Sequence, residues 1–359
     1  MSVAEQIPAA PAAAASAATQ AEATPPRPTP RGAGQVPRAA PDTDTARRPW
    51  PRLLDRGGKA VLWALVLALC VTPILLVMAI SLGQSVEGSA WEWSLTLRNY
   101  QRFFVGSNWP ADPTFLYLNQ LYWSLRYATI ASVLAVATAL PFTYLMTRLS
   151  RAAQACWLVF ILASLALSEV FIVMGWDILL SNNSGLPRLF LVTGLTDWLK
   201  ETGWFDVLRE WGLANPRNVR FKTSELATVL TMSYLVWPYA VILLYPALSR
   251  LDPALSEAAR TMGAGSWTVA RTVILPAVRL PLIGSTFLLF VFLLGTYVAV
   301  TVFADPSRQT TAISIYDHVR GANLDAPFGA AQAVILLVTA TLFLTLGHFL
   351  TRRGSEGRA

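Results

Sequence analysis

A polar segment between two long apolar runs carries the residues best placed to do chemistry in this sequence. It spans residues 251–276 and reads LDPALSEAARTMGAGSWTVARTVILP. Asp252 can cap a helix with its carboxylate, and Pro253 suits the first helical position because that position needs no N–H donor. Gly263 stands where the residue just beyond a helix often adopts a left-handed backbone. The segment therefore predicts a helix of about three turns that ends before Gly263.

The predicted helix has an apolar stripe, and such a stripe can bind another apolar surface. Its members recur at positions i, i+3, i+4 and i+7, and they are Leu255, Ala258, Ala259 and Met262. Two of them are alanine, so another backbone can approach closely. Glu257 and Arg260 flank the stripe. Periodicity alone leaves two alternatives open: the stripe packs on the chain's own apolar helices, or it binds a separate protein.

A second short helix is expected after the turn at Gly263. Ser266 can cap this helix with its hydroxyl group, and the helix is expected to run to Leu275. Pro276 lacks a backbone N–H, so it is expected to break the helix before the next apolar run. The segment is therefore expected to hold two short helices joined by a glycine turn.

Residues suited to catalysis are sparse elsewhere in the sequence. A phosphate loop of the form G-x-x-x-x-G-K-[ST] does not occur. The two histidines, His318 and His348, belong to no Cys/His cluster of the kind that binds a catalytic metal. Cys70 and Cys156 fall inside apolar runs, so we expect small buried hydrophobes rather than a disulfide or a metal pair. We therefore expect neither enzyme activity nor a cofactor.

Composition indicates a membrane protein. The chain has 359 residues, of which 54% are hydrophobic and 14% charged, whereas a soluble domain carries roughly 25% charged residues. The net charge of +7 does not indicate nucleic-acid binding, because the basic residues stand at the ends of apolar runs, where membrane proteins place them. Membrane lipids, and not nucleic acid, are the expected surroundings.

Six apolar runs are long enough to cross the membrane, since at about 1.5 Å per residue each spans a hydrocarbon core of ~30 Å. The predicted fold is all-α, a polytopic membrane protein with six transmembrane helices, and the polar segment described above lies between the fourth and fifth. The predicted transmembrane runs are 60–82, 121–146, 155–180, 226–248, 281–303 and 330–350.

Three regions follow from this pattern. Residues 1–59 are rich in Ala, Pro and Thr, end in a basic stretch and are expected to be a disordered tail. Residues 60–350 form the expected transmembrane domain, and residues 351–359 form a short tail. Arginine and lysine precede the first run and close the second, fourth and sixth. The positive-inside rule therefore places both termini and the loop 249–280 in the cytoplasm.

The polar segment resembles the EAA loop of ABC importer permeases. The shared pattern is Glu-Ala-Ala, then three residues, Gly, nine residues, an aliphatic residue, any residue, and Leu-Pro. Valine stands where the family usually has isoleucine, and the resemblance covers residues 95–350. The matching residues are Glu257, Ala258, Ala259, Gly263, Val273, Ile274, Leu275 and Pro276.

The resemblance implies a bacterial inner-membrane permease that imports a solute with energy from a separate ATP-binding subunit. A second permease subunit, identical or related, completes the pore, and a periplasmic binding protein delivers the solute. The apolar stripe forms the docking ridge for the ATP-binding subunit, Glu257 pairs with a basic or polar group on it, and Gly263 turns the chain out of the helix. The competing hypothesis is an ion-coupled secondary transporter or channel, which predicts internal repeats and functional charges in several spans.

Four residues inside the predicted spans are candidates for the solute pathway. Glu169 lies in the third run, and charged groups at membrane depth usually face a cavity or a partner. Trp237 precedes a proline expected to kink the fourth helix. Thr296 and Tyr297 are predicted to lie in the fifth helix, where helix–helix contact is the alternative role.

The last predicted loop bears on the cargo. Residues 310–316 resemble a region of permeases for polyamines, thiamine, ferric iron, sulfate and phosphonates, although Ala312 and Ile313 replace the usual Leu-Pro. The resemblance therefore implies a small solute such as a polyamine, iron, thiamine or a phosphonate.

Overall fold

The computed structural model describes residues 50–86, 89–321 and 324–356. The chain divides into two compact units, Met1–Leu62 and Trp63–Ala359, and the second contains all the described elements from the end of α1 onward. Residues 1–49 of the predicted disordered tail lie outside the described residues. The rest of that tail is helical, because the first helix begins at Trp50, ten residues before the predicted span.

The first half of the described chain holds long helices separated by short ones and by one antiparallel hairpin. Its elements are α1 (Trp50–Ser81), β1 (Gln84–Val86), β2 (Ser89–Glu92), α2 (Arg98–Val105), α3 (Leu116–Thr147), α4 (Arg151–Leu165), α5 (Glu169–Leu180), α6 (Leu186–Val192), α7 (Leu195–Glu201) and α8 (Trp204–Glu210).

The second half is helical throughout. Its elements are α9 (Glu225–Ser249), α10 (Pro253–Thr261), α11 (Ser266–Val269), α12 (Leu275–Leu294), α13 (Val298–Phe303), α14 (Thr311–Arg320) and α15 (Ala326–Glu356). A π-helical turn, Ala270–Ile274, joins α11 to α12, and a 3₁₀ turn, Pro306–Arg308, precedes α14.

The described helices confirm a mostly α-helical polytopic membrane protein. Five helices are long and apolar enough to cross a membrane, and α4 and α5 together form a sixth candidate. This third span is not the single helix that the sequence predicted, because α4 and α5 are bent by 94°. Ser168 has an extended backbone, with φ −63° and ψ 142°, which interrupts the helical hydrogen bonds. The acidic Glu169 then opens α5, where a helix favours negative charge.

The fifth span differs most from its predicted bounds of 281–303. A continuous helical segment runs from Ser266 to Leu294, so Pro276 does not break it. A π turn just before the proline has the N–H of Leu275 donating to Ala270 O. Its wider ladder of i→i+5 bonds accommodates the ring. Ser266 is the first helical residue rather than the cap, because Gly265 occupies the cap position.

Small residues at the centre of the bundle bring α3 and α9 together. The alanines of α3 that are fully buried recur on one face, and they are Ala128, Ala131, Ala135 and Ala139. Fully buried Val236 and Ala240 belong to the same core cluster, and Ser233 Oγ donates across the interface to Ala131 O at 3.2 Å. Side chains without bulk let two helices approach closely in a membrane. This pair is therefore the frame from which the end of α9 presents α10.

The periphery of the bundle is apolar, as expected for helices that meet lipid or another subunit. Trp63, Leu65 and Leu69 of α1 are exposed. Cys70 and Cys156 are free and exposed as well, so the prediction that both are buried was wrong. The reason is that the outer face of a membrane helix meets lipid rather than water, so an apolar side chain there need not be buried inside the protein.

We expect Gly185→Ala to destabilise the fold. Gly185 follows α5 in a tight turn, and an added Cβ would overlap the backbone carbonyl oxygen of Leu179. Overpacking of this kind costs about 1–3 kcal/mol. Gly175→Ala is the matched control, because apart from its chain neighbours and the nearby backbone of its own helix no described atom lies within 4 Å of its added Cβ. The unfolding midpoint in detergent should fall for Gly185→Ala alone; equal midpoints would contradict the turn geometry.

Candidate functional site

The start of α10 has the predicted geometry. Asp252 is the cap, and its Oδ1 accepts a hydrogen bond from Ala254 N at 2.9 Å. Pro253 takes the first helical position. The helix is nine residues long, slightly shorter than predicted, and it lies between the spans α9 and α11–α12. The residue at which α10 begins is therefore determined by its own local sequence.

The end of α10 depends on the backbone of Gly263. This residue has φ +85°, a region that side-chain-bearing residues rarely adopt. Gly263 N donates to Arg260 O at 2.9 Å, and Ala264 N donates to Ala259 O at 3.0 Å. Together these two bonds form a Schellman motif, which satisfies carbonyl groups that a helix end leaves open. The predicted turn at Gly263 is confirmed, and glycine is required there by conformation.

Three members of the predicted stripe are exposed and one is not. Leu255 is 54% exposed and Met262 is 82% exposed, and Ala258 is also exposed. Ala259 is only 8% exposed and belongs to the core cluster of the bundle. Its predicted place on an exposed ridge was therefore wrong, because α10 lies on the bundle and turns the Ala259 edge inward. We call Leu255, Ala258 and Met262 the exposed stripe.

Charged and aromatic residues surround the exposed stripe. Glu257 and Arg260 are exposed, as predicted for residues that flank it. Trp267 in α11 is 78% exposed, and the sequence analysis did not single it out, although an aromatic residue in a polar loop was a usable signal. Leu275 is exposed and Pro276 half-buried, and both lie on the helix that follows. The surface thus offers large apolar side chains to a partner.

Glu169 borders a small cavity between α4, α5, α9 and α12. The cavity has a volume of about 90 Å³, and one carboxylate oxygen, Oε1, has no hydrogen-bond partner among the described residues. The backbone amide of Ala299 in α13 also interacts with the carboxyl group. Aromatic side chains make up much of the remaining wall, and they are Tyr234, Tyr239 and Phe292. The sequence analysis missed these three, although tyrosines inside an apolar run were a signal.

The other pathway candidates lie apart from this cavity. Trp237 packs on Phe142, with ring centroids 4.8 Å apart, and α9 continues through the following proline. Thr296 and Tyr297 are not in the fifth helix as predicted, because α12 ends at Leu294 and both residues occupy the break before α13. Thr296 is buried. Tyr297 is 38% exposed and stacks on Tyr316 with centroids 4.9 Å apart and planes inclined by 15°.

The described residues contain no group of three or more His, Cys, Asp or Glu side chains that could hold a metal ion. The geometry therefore points to two features: a peripheral docking surface on α10 and α11, and a cavity with a carboxylate inside the bundle.

Known proteins resemble this chain in sequence and in fold. The spermidine/putrescine transport system permease protein PotB of Haemophilus influenzae is 22% identical over 288 residues, which cover 79% of this chain and 90% of the relative. PotB of Escherichia coli is 24% identical over 273 residues, which cover 76% and 88%. A bacterial ABC transporter involved in the import of the acidic polysaccharide alginate has the same fold, with a TM-score of 0.55 and 14% identity over 85% of this chain and 96% of that chain.

The model of one protein family covers most of the chain. It describes binding-protein-dependent transport system inner membrane components, and it matches residues 61–354, the region that also contains α10 and every candidate residue above. The chain therefore belongs to this family, the inner-membrane permease subunits of ABC importers.

Proposed function

We propose that this permease is driven by a separate ATP-binding subunit that docks on α10 and α11, and that it imports a small organic cation of the polyamine class. The observation that carries the docking proposal is the exposed stripe, which ends in the Schellman turn at Gly263. An apolar stripe held in a fixed orientation between two spans gives a partner a contact surface that is rigidly connected to the bundle. A movement of that partner then shifts packed helices, as alternating access requires.

The remaining partners follow from the same proposal. One chain supplies one half of a pore, so a second permease subunit, identical or related, covers part of the apolar periphery. A periplasmic binding protein delivers the solute at the end of the bundle opposite α10. Both chain termini and α10 lie on the cytoplasmic side, where ATP is available.

Two observations support a cationic cargo. The PotB relatives, aligned over more than three quarters of this chain, carry spermidine and putrescine by name. The cavity beside Glu169 joins a carboxylate to tyrosine and phenylalanine rings, and both groups attract ammonium ions. We assign Glu169, Tyr297 and the cavity tyrosines to the solute pathway, whereas Trp237 and Thr296 support it through packing.

Uptake of radiolabelled spermidine by cells that express the whole transport system tests the cargo. Glu169→Gln should lower uptake by at least about tenfold, because loss of a hydrogen bond to a charged group costs about 1.5–3 kcal/mol. Glu169→Asp, which keeps the charge, should retain most of the uptake. Equal uptake by the Gln variant and the wild type would remove Glu169 from the pathway. An unfolding midpoint that falls in step with uptake would instead assign Glu169 to the structural contact with Ala299.

A further inference from the structure

One carboxylate joins three segments at the end of the bundle where α3 and α9 begin, which we call the distal end. Glu225 opens α9, and its Oε1 lies 2.7 Å from Arg126 Nη2 of α3. Its Oε2 lies 3.5 Å from Arg308 Nη1, in the 3₁₀ turn before α14. The residues joined here are about a hundred and about eighty positions apart in sequence, so the contact is entirely tertiary.

An aromatic ring completes this cluster. The Arg126 guanidinium lies 4.9 Å from the ring centroid of Trp123, and the Arg308 guanidinium lies 5.0 Å from it. Both cations thus contact the same indole, within the range of cation–π attraction. We call Trp123, Arg126, Glu225 and Arg308 the Glu225 clamp.

The clamp is partly shielded from solvent. The side chain of Glu225 is 25% exposed, that of Arg126 is 38% exposed and that of Arg308 is 44% exposed. A carboxylate that holds two guanidiniums in a network contributes more than an isolated surface pair. Beside the clamp lies an open cavity of about 360 Å³, lined by Glu210, Arg220 and Asp305 among others. The Asp305 pKa is lowered by hydrogen bonds from the hydroxyl and backbone N–H of Ser307, so Asp305 remains ionised and offsets part of the positive charge.

A second contact ties the same segments together. The backbone N–H of Thr311, the first residue of α14, donates to Ser124 Oγ of α3 at 2.9 Å in a buried position. Further along α14, Tyr316 stacks on Tyr297. The clamp therefore connects the two central helices to the helix that positions an aromatic residue assigned above to the pathway.

We propose that Glu225 is a positioning residue that makes the distal ends of α3, α9 and α14 move as one body during transport. The inference rests on the proposed function, because it concerns how a movement that begins at α10 reaches the opposite end of the bundle. The central helix α9 has 25 residues and spans about 37 Å, from the clamp to the docking surface. With the clamp intact, a displacement of α9 carries α3 and α14 with it. Without the clamp, the remaining contacts between these segments, such as Ser233 with Ala131 and Thr311 with Ser124, hold them less tightly, and part of the ATP is hydrolysed without solute transfer.

The first test compares two substitutions on the same cavity. Glu225→Gln in the complete transporter, reconstituted with its ATP-binding subunit and binding protein, should lower the solute moved per ATP by about fivefold or more, as expected for loss of an allosteric coupling. Its ATP hydrolysis should persist. Glu210→Gln is the matched control, since Glu210 lines the cavity but forms no ion pair with any described residue. Wild-type coupling in Glu225→Gln would overturn the proposal.

The second test replaces the ion pair by a covalent link. In a background with Cys70→Ser and Cys156→Ser, the double variant Arg126→Cys with Glu225→Cys should couple poorly when its thiols are free. A short bifunctional thiol reagent should restore coupling, because the link rejoins α3 to α9 while the Thr311–Ser124 bond still joins α14 to α3. A link that fails to restore coupling, or lowers it further, would mean that these helix ends separate during transport, and the proposal would be wrong.

Different results would contradict the proposed cargo and the proposed role of the clamp. If the wild-type transporter moves no spermidine, the assigned cargo is wrong. Stimulation of ATP hydrolysis by the binding protein still reports on the clamp, since Glu225→Gln should then hydrolyse ATP at a rate that the binding protein no longer raises. Intact stimulation in that variant would contradict the clamp whatever the cargo is.

Discussion

Gly263→Val is expected to abolish most ATP-driven uptake while the permease stays folded and inserted in the membrane. Gly263 has φ +85°, and an L-residue in this left-handed region costs about 1–2 kcal/mol, more for a β-branched side chain. Apart from its two chain neighbours, no described residue has an atom within 4 Å of an added Cβ, so the penalty comes from the backbone conformation. The Schellman turn should open, and the exposed stripe should lose its fixed orientation. Uptake by whole cells, at matched amounts of membrane-inserted protein, measures the effect.

Two companion variants isolate the conformational cause. Gly263→Asn should recover a large part of the uptake, because asparagine tolerates the left-handed conformation. Gly265→Val lies two residues away with φ −68° and similarly open surroundings, so it should have little effect. If both valine variants lost uptake equally, the cause would be bulk on this surface rather than the turn, and the role given to Gly263 would be incorrect.

The second large effect is expected from Met262→Lys, which should weaken capture of the ATP-binding subunit by at least about tenfold. Met262 is 82% exposed in the single chain, and burial of a methionine side chain against a partner contributes about 1.5–3 kcal/mol. The lysine loses this contribution and also brings a charge into the apolar contact. Co-purification of the ATP-binding subunit with the tagged permease, titrated over partner concentration, gives the change in affinity.

The neighbouring residue supplies the control for that substitution. Thr261 is exposed and lies about 100° around the helix axis from Met262, and Thr261→Lys adds the same charge at the same end of the helix. Capture should be close to that of the wild type. Equal loss from both lysines would indicate repulsion by charge alone, and equal retention would show that the partner does not contact Met262.

Local chemistry explains which parts of this molecule were predictable from sequence. The bounds of α10 follow from Asp252, Pro253 and Gly263, each of which acts on its own backbone or on residues within a few positions. Long apolar runs identified the spans because every membrane-crossing helix must satisfy its backbone hydrogen bonds internally. These features do not depend on what the segment touches.

The breaks in the spans depended on tertiary structure and were not predicted. The run 155–180 is apolar without a proline, and the 94° bend falls at Ser168, a residue that helices often contain. The fifth span ends at Leu294 although the apolar run continues beyond it. In contrast, Pro276 was expected to break the helix, but the helix continues because the preceding π turn accommodates the proline ring. Short apolar sequences fit either a continuous or a broken helix, and packing between helices decides.

The candidate sites show the same division. Periodicity found the stripe on α10, but it could not tell that Ala259 turns towards the bundle while Met262 does not, since both fit one helical face. Glu169 was identifiable as a charge in an apolar run, whereas its aromatic neighbours come from helices far away in sequence. The Glu225 clamp joins residues from three separate segments and leaves no pattern along the chain.

Photo-crosslinking from position 262 tests the central claim, that an ATP-binding subunit docks on α10. A benzophenone amino acid replaces Met262 in the intact transporter. In the control, the same amino acid replaces Glu201, an exposed residue of α7. We expect irradiation to link the ATP-binding subunit to position 262 and not to position 201. Crosslinking of that subunit at position 201, with none at position 262, would contradict the docking surface and the orientation of the chain in the membrane.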